Sequence, residues 1–347
     1  MLPSKASDAF NDLMTHVEHI NEQNGGSACA LYVIQNEHVA FEDYSGRHSH
    51  DTNSKVTEPT SQFNVASVRK SYIGLAVAYA LYQGSIKSLD DPVLNYLTSG
   101  SQPTIPNRVT IRHLLTHTHG LRQDEDGRVF YAFEAGTAWE YNNVGIHILT
   151  QIISQVTGRS LSEFLYTTVF QPLEMKETAW HTTPNEMLVP AIIDDGTTDS
   201  LLDDISDGSR ANLFVSAREL ALWAYIHLKM GRIDGKSVIP EQAIRTSISV
   251  QSPLELPTGL PRNGCLWLVK HGRSEQSLIG NNVPDGSYKI VGITGPVVLV
   301  VPPLDLVVVR MANRVGNYED EHGSYIDYLK SFSDLAVMCA KKNWKID

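Results

Sequence analysis

Apolar positions at Phe10, Leu13, Met14, Val17 and Ile20 recur every three or four residues, which predicts a first helix closed by Asn24-Gly25-Gly26. Two short apolar runs follow, Ala28–Gln35 and His38–Tyr44, and their junction at Asn36-Glu37 predicts a hairpin of strands. Beyond a polar linker (45–61), the run from Tyr72 to Leu81 is apolar on nearly every face, the pattern of a buried helix, and Gly84 stops it. From Asp90 to about Tyr225 the pattern predicts helices and long loops, among them 111–116, 145–157 and 216–230. Strands are then expected at 265–270, 287–293, 297–301 and 306–311, the second entered through a Pro284-Asp285-Gly286 turn. Tyr325, Ile326, Leu329, Phe332, Leu335, Met338 and Cys339 give a terminal helix one apolar face. Strands at both ends of the chain around a helical insert predict an α+β architecture rather than alternating βαβ units.

Charge narrows the partner. The 347 residues carry 28 Lys and Arg against 39 Asp and Glu, a net −11 without a basic stripe, which argues against nucleic acid and anionic membrane surfaces and for a small molecule. Length sets a prior of about two domains. The longest aliphatic stretch, Val297 to Val309, is broken by Pro302, Pro303 and Asp305 and is too short to span a membrane. Three widely spaced cysteines, Cys29, Cys265 and Cys339, and the absence of a leader-like apolar run after Met1 lead us to expect a cytoplasmic protein with buried thiols.

The chemistry concentrates at two places. Ser67-Val68-Arg69-Lys70 sits where a loop enters the buried helix, and no other Lys in the chain has a Ser three residues before it. Residues three apart share a helix face, so the amine can lie beside the hydroxyl, take its proton and hold the alkoxide, while the helix N-terminus favours a nearby oxyanion. The competing account is a capping Ser with a solvated Lys, but Lys70 adjoins the most apolar helix and so needs a reason for its burial. Tyr141-Asn142-Asn143 is the only Tyr-x-Asn in the sequence. Beside an ammonium a Tyr has a lowered pKa and can act as general base, and an Asn amide can orient both the Lys and a substrate carbonyl.

With these motifs the chain resembles the serine β-lactamase and penicillin-binding-protein superfamily, in its class C β-lactamase, DD-peptidase and family VIII esterase branch. Matches run in order from Phe63 to Asn313. They include Leu89-Asp90-Asp91-Pro92-Val93, the segment Val109 to Leu121, Gly136 to Asn143, Phe170 to Met175, Val215 to Leu220 and Leu304 to Arg314. The resemblance implies a β-lactamase/transpeptidase-like fold, an antiparallel sheet flanked by helices plus an all-helical domain. Residues 1–88 and 226–347 would form the α/β domain, and 89–225 the helical one, with the site in the cleft between. It implies Ser67 as acylated nucleophile, Lys70 as its proton partner, Tyr141 as the base that also protonates the leaving group, and Asn143 as a positioning residue. The backbone N–H groups of Ser67 and Ile293 would form the oxyanion hole. Neither cofactor nor metal is implied.

One motif departs from the family. Its usual Lys-Thr-Gly or His-Thr-Gly falls at Ile290-Val291-Gly292, which keeps the backbone but lacks the cation and hydroxyl that grip a substrate carboxylate. Lys289 is expected on the opposite strand face. Of the remaining candidates, His113 and His117 lack the Glu and third ligand of a metal site, and the Asp-rich run 194–207 has Ile205 where a calcium loop needs an oxygen ligand. These residues predict a serine hydrolase acting through a Ser67 acyl-enzyme on a small ester, amide or peptide. Two alternatives stand beside it. One is a penicillin-recognising enzyme whose cation comes from Lys289, Arg310 or Arg314. The other is an idle homologue that binds a ligand in the old cleft.

Overall fold

A computed structural model describes residues 2–97, 105–193, 196–316, 318–321 and 323–344. Its centre is a seven-stranded antiparallel sheet ordered Arg262–Asn263, Leu268–Val269, Tyr288–Val291, Val297–Val301, Leu306–Ala312, Ala28–Gln35 and His38–Gly46. Strands from the two chain ends are neighbours, with Cys29 opposite Ala312 and Gln35 opposite Leu306. The hairpin turns where the sequence places it, and Asn36 and Glu37 both take positive φ, as a two-residue loop with the right twist demands.

Because side chains alternate along each strand, the sheet has two apolar faces. On one, Tyr32, Tyr288, Ile290, Val298 and Val309 pack with the helices Lys70–Tyr82 and Ala217–Leu228. On the other, Leu31, Val33, Leu299 and Val308 meet the helices Asn11–Gln23 and Tyr325–Trp344. The Lys70–Tyr82 helix is the innermost element: Gly74 lies so close to the Cys265 carbonyl that a Cβ would stand 2.1 Å from its oxygen. Tyr72 stacks on Trp223 at 3.9 Å between ring centres.

Several elements depart from the pattern. Residues 89–225 hold helices at Ile111–Leu115, Val144–Thr157 and Leu161–Leu165, but also Thr178–Trp180, Leu188–Val189 and Leu213–Ser216. These join Gln62–Asn64 in a second, four-stranded sheet. Such strands are too short to show a two-residue period. The expected strand 265–270 survives only at Leu268–Val269, because Leu266 has φ +67° and breaks the extended run. In the terminal helix Ile326 and Met338 are exposed, and Ala336, Val337 and Ala340 take their place in the core. Cys29, Cys265 and Cys339 are free and buried. No helix among the described residues is long and apolar enough to cross a membrane.

Candidate active site

Strand Gln62–Asn64 delivers the chain to Ser67. Asn64 fixes the approach through its amide: Oδ1 accepts from Ala66 N–H at 2.9 Å and Nδ2 donates to the Ala211 carbonyl at 2.9 Å. Ala66 is thereby held at φ +44°, unfavourable for a residue with a Cβ, immediately before the nucleophile. A single 3₁₀ turn, Ala66–Arg69, then feeds the Lys70–Tyr82 helix. Ser67 is the only partly exposed residue between Ser61 and Tyr79 in this stretch of buried chain.

Three polar atoms meet there. Lys70 Nζ is 3.1 Å from Ser67 Oγ, Tyr141 OH is 2.6 Å from the same oxygen, and the Lys70 amine and Tyr141 hydroxyl are in direct hydrogen-bond contact. The His117 ring lies tilted beside that of Tyr141, 4.8 Å between centres. The sequence expectation about charge is reversed. Burial, aided by the neighbouring Arg69 cation, pushes the Lys70 amine down to about 7, while burial raises the Tyr141 phenol instead of lowering it. About half of the Tyr141 surface is open, but its hydroxyl is turned inward. At neutral pH the phenol therefore keeps its proton, and much of the amine is free to accept one.

The environment of Lys70 explains the shift. It is 2% exposed, begins a buried helix where the dipole is positive, and has no carboxylate within ion-pair distance among the described residues. Arg69, 5% exposed, adds a second cation with one guanidinium nitrogen that has no hydrogen-bond partner among the described residues, and is itself pushed down to about 10 by burial. Sequence reading passed over Arg69, because an Arg beside a Lys looks like a solvated pair. Its only signal was adjacency to an apolar helix.

Asn143 is exposed at the start of the Val144–Thr157 helix and makes no hydrogen bond to Lys70 among the described residues. Asn142 is the structural member of the pair: its amide donates to the Leu121 carbonyl and accepts from Val144 N–H. His113 closes a capping box with Thr110, and His119, held near pKa 4 by burial, accepts from Leu121 N–H. Among the described residues no cluster of three metal-ligating groups occurs.

The departing motif also finds its place. Strand Tyr288–Val291 ends at Gly292, which sits against the loop before the nucleophile: a Cβ there would stand 2.5 Å from the Val65 carbonyl oxygen. Beyond it a turn closes with Gly295 N–H on the Gly292 carbonyl, 2.9 Å, and Thr294 Oγ1 donates to the Asn64 carbonyl at 2.7 Å. The N–H groups of Ser67 and Ile293 donate to no protein acceptor among the described residues, as an oxyanion hole requires. Ile290 is buried in the core and Val291 lies toward the other sheet face.

No cation replaces the missing one along this strand. Lys289 is fully buried on the far face, where its ammonium donates to the Leu278 and Leu329 carbonyls and to Ser333 Oγ at 3.0, 2.6 and 2.8 Å. Arg310 is buried on that same face, with Gly295 and Phe332. Arg314 donates to the Ile192 carbonyl. In the Asp-rich run, Asp199, Asp203 and Asp207 accept from backbone N–H groups two residues on, the bonds of local turns. Asp194 and Asp195 fall outside the described residues.

Comparison with known proteins bears on the family and the fold. The family model described as Beta-lactamase matches residues 13–329. An uncharacterized protein of Alkalihalophilus pseudofirmus is 41% identical over 333 residues, covering 96% of this chain and 97% of the relative. A beta-lactamase of Escherichia coli is 25% identical over 308 residues, 83% of this chain and 77% of the relative. Among solved structures, EstCE1, a hydrolase with promiscuous acyltransferase activity, superposes with a TM-score of 0.74 at 19% identity, over 95% of this chain and all (100%) of its own. Two of these relatives are named for hydrolase activity, and the chain belongs to the beta-lactamase family, within the superfamily of serine β-lactamases and penicillin-binding proteins.

Proposed function

We propose that the protein is a serine hydrolase that passes an acyl group through Ser67, acting on a small ester or amide without an obligatory carboxylate. The observation that carries this reading is the contact of Ser67 Oγ with an amine pushed down to about 7 and a phenol that stays protonated.

Lys70, neutral, takes the Ser67 proton as Oγ attacks the substrate carbonyl, and the resulting oxyanion is received by the N–H groups of Ser67 and Ile293. Tyr141 gives its proton to the departing alkoxide or amine and is refilled from the Lys70 ammonium across their direct contact. The acyl-enzyme is then attacked by water, whose proton returns along the same route, and Ser67 is released. The Asn143 side chain, exposed and making no hydrogen bond among the described residues, is free to meet the substrate.

Substrate class follows from what lies beside the oxyanion donors. The third motif supplies no cation or hydroxyl to hold an anionic group: Ile290 is buried in the core, Val291 and Lys289 face away, and Ile293 is 49% exposed. An uncharged acyl group fits that wall better than a carboxylate. The match to a β-lactamase keeps a penicillin-recognising enzyme as the second reading. One panel separates them: short-chain p-nitrophenyl esters, D-aminoacyl amides and a chromogenic cephalosporin, assayed on the wild type and Ser67→Ala. Turnover of esters or amides that vanishes in Ser67→Ala, with little cephalosporin hydrolysis, is the expected result. Preference for the cephalosporin would overturn the substrate reading, and full ester activity in Ser67→Ala would overturn the nucleophile.

A further inference from the structure

The oxyanion donor Ile293 sits in a turn, and a donor in a turn is only as well placed as the bonds that hold it. Three contacts tether this one. Thr294 Oγ1 reaches the Asn64 carbonyl from the nucleophile side at 2.7 Å, and Gly316 N–H donates to the Ile293 carbonyl at 3.0 Å. The third comes from behind the sheet: Arg310 Nε and Nη2 both donate to the Gly295 carbonyl, at 3.1 and 2.9 Å.

Arg310 is an odd residue for that position. It stands in an otherwise apolar strand, Leu306–Ala312, opposite Val297 and Leu31, and is 6% exposed. The titratable groups around it are His16, Cys29, Lys289 and Tyr325, none of them a carboxylate, and no acid pairs with it among the described residues. Its guanidinium lies 5.5 Å from the Phe332 ring centre on the terminal helix. Burying an unpaired cation is costly, and an apolar residue would fill a core strand without that cost. Among the described residues the one polar task of this guanidinium is to hold the Gly295 carbonyl.

We propose that Arg310 is a positioning residue: through the Gly295 carbonyl it fixes the turn that aims the Ile293 N–H at the developing oxyanion beside Ser67. This rests on the acyl-enzyme reading above. The sequence singled out Arg310 as a substitute cation for substrate; the structure puts it behind the sheet, where it touches no substrate and acts through one backbone carbonyl.

The test uses the full chain. Reaction of the wild type with a fluorophosphonate, followed by intact mass, first establishes Ser67 as nucleophile. Arg310→Met and Arg310→Lys are then compared with the wild type for ester kcat and KM, inhibition by phenylboronic acid, which forms a tetrahedral adduct on serine, and melting temperature. A donor displaced rather than deleted is expected to lower kcat of Arg310→Met about 10- to 100-fold, with KM within about twofold and boronate affinity falling in step with kcat. Arg310→Lys, which can still donate to the carbonyl, should recover most of the loss. A folded Arg310→Met with wild-type kcat and boronate affinity, whatever its melting temperature, overturns the proposal. If Arg310→Met fails to fold, Arg310→Gln decides in its place: a folded Arg310→Gln with wild-type kcat and boronate affinity overturns the proposal. A wild type that forms no Ser67 adduct overturns the acyl-enzyme reading instead.

Discussion

Lys70 and Lys289 are both buried, both lack a carboxylate partner, and lie on opposite faces of the same sheet, yet their surroundings differ in kind. Lys289 donates to two carbonyls and a serine hydroxyl, so all three of its N–H groups have an acceptor. Among the described residues Lys70 hydrogen-bonds two hydroxyls, each able to exchange protons with it. A buried amine enclosed by fixed acceptors ties a strand to a helix. Burial and a nearby cation, Arg69 or Arg310, push both amines down, so the difference lies in the partners: hydroxyls that can exchange protons suit chemistry, and fixed carbonyls do not.

The largest effect should separate the two residues outright. Lys70→Met is expected to lower kcat/KM for an ester by about 10³-fold or more while leaving the melting temperature near or above that of the wild type, since the burial cost of the amine is removed. Equal losses of stability and activity in that variant would break the contrast. Tyr141→Phe should follow, with a fall of about 10²-fold borne by kcat, because the leaving group loses its proton donor; stopped-flow measurement would place the defect in acylation.

Lys289→Met should show the opposite signature. Three buried acceptors lose their donor, so stability drops by about 2 kcal/mol in urea titration, while kcat/KM of the folded protein stays within about twofold of wild type. The smallest effect concerns pH. With Lys70 near 7, kcat/KM rises with pH through that region as the ammonium gives up its proton. Ser67, Tyr141, Arg69, His117 and His147 are the polar and charged groups coupled to it. Arg69→Met removes a cation, so the Lys70 pKa must rise and the acid limb of the profile must move to higher pH. An unmoved limb would deny Arg69 any hold on the amine.

Much of this was legible in the chain. Ser67 and Lys70 sit three apart at the mouth of an apolar helix, so local spacing alone brings them together, and Tyr141 could be joined to them because its tripeptide is unique. Asn36-Glu37 marked the hairpin for the same local reason. What stayed hidden depends on tertiary surroundings. Tyr141 keeps its proton and Lys70 is the easier of the two to deprotonate, the reverse of the sequence expectation, because desolvation of each group is set by residues far away in sequence. Arg310 looked like a substrate cation because one-dimensional pattern gives the face of a strand but not which face meets the cleft. Asn143 carried a family role whose contact with Lys70 the structure does not contain. Leu266 broke a strand through a positive φ that no composition rule forbids.

The pairing of Cys29 with Ala312 bears on how the molecule is made. The central sheet cannot close until residue 312 is available, so nearly the whole chain must wait before its first long strand, already paired in the hairpin, finds its second neighbour. Closing so long a loop adds only slowly to the entropic cost, but it places the slow step late and leaves the hairpin Ala28–Gly46 with one edge open meanwhile. A nascent chain stopped before residue 306 should therefore be protease-sensitive throughout, and protection should arrive in one step once strand Leu306–Ala312 has emerged.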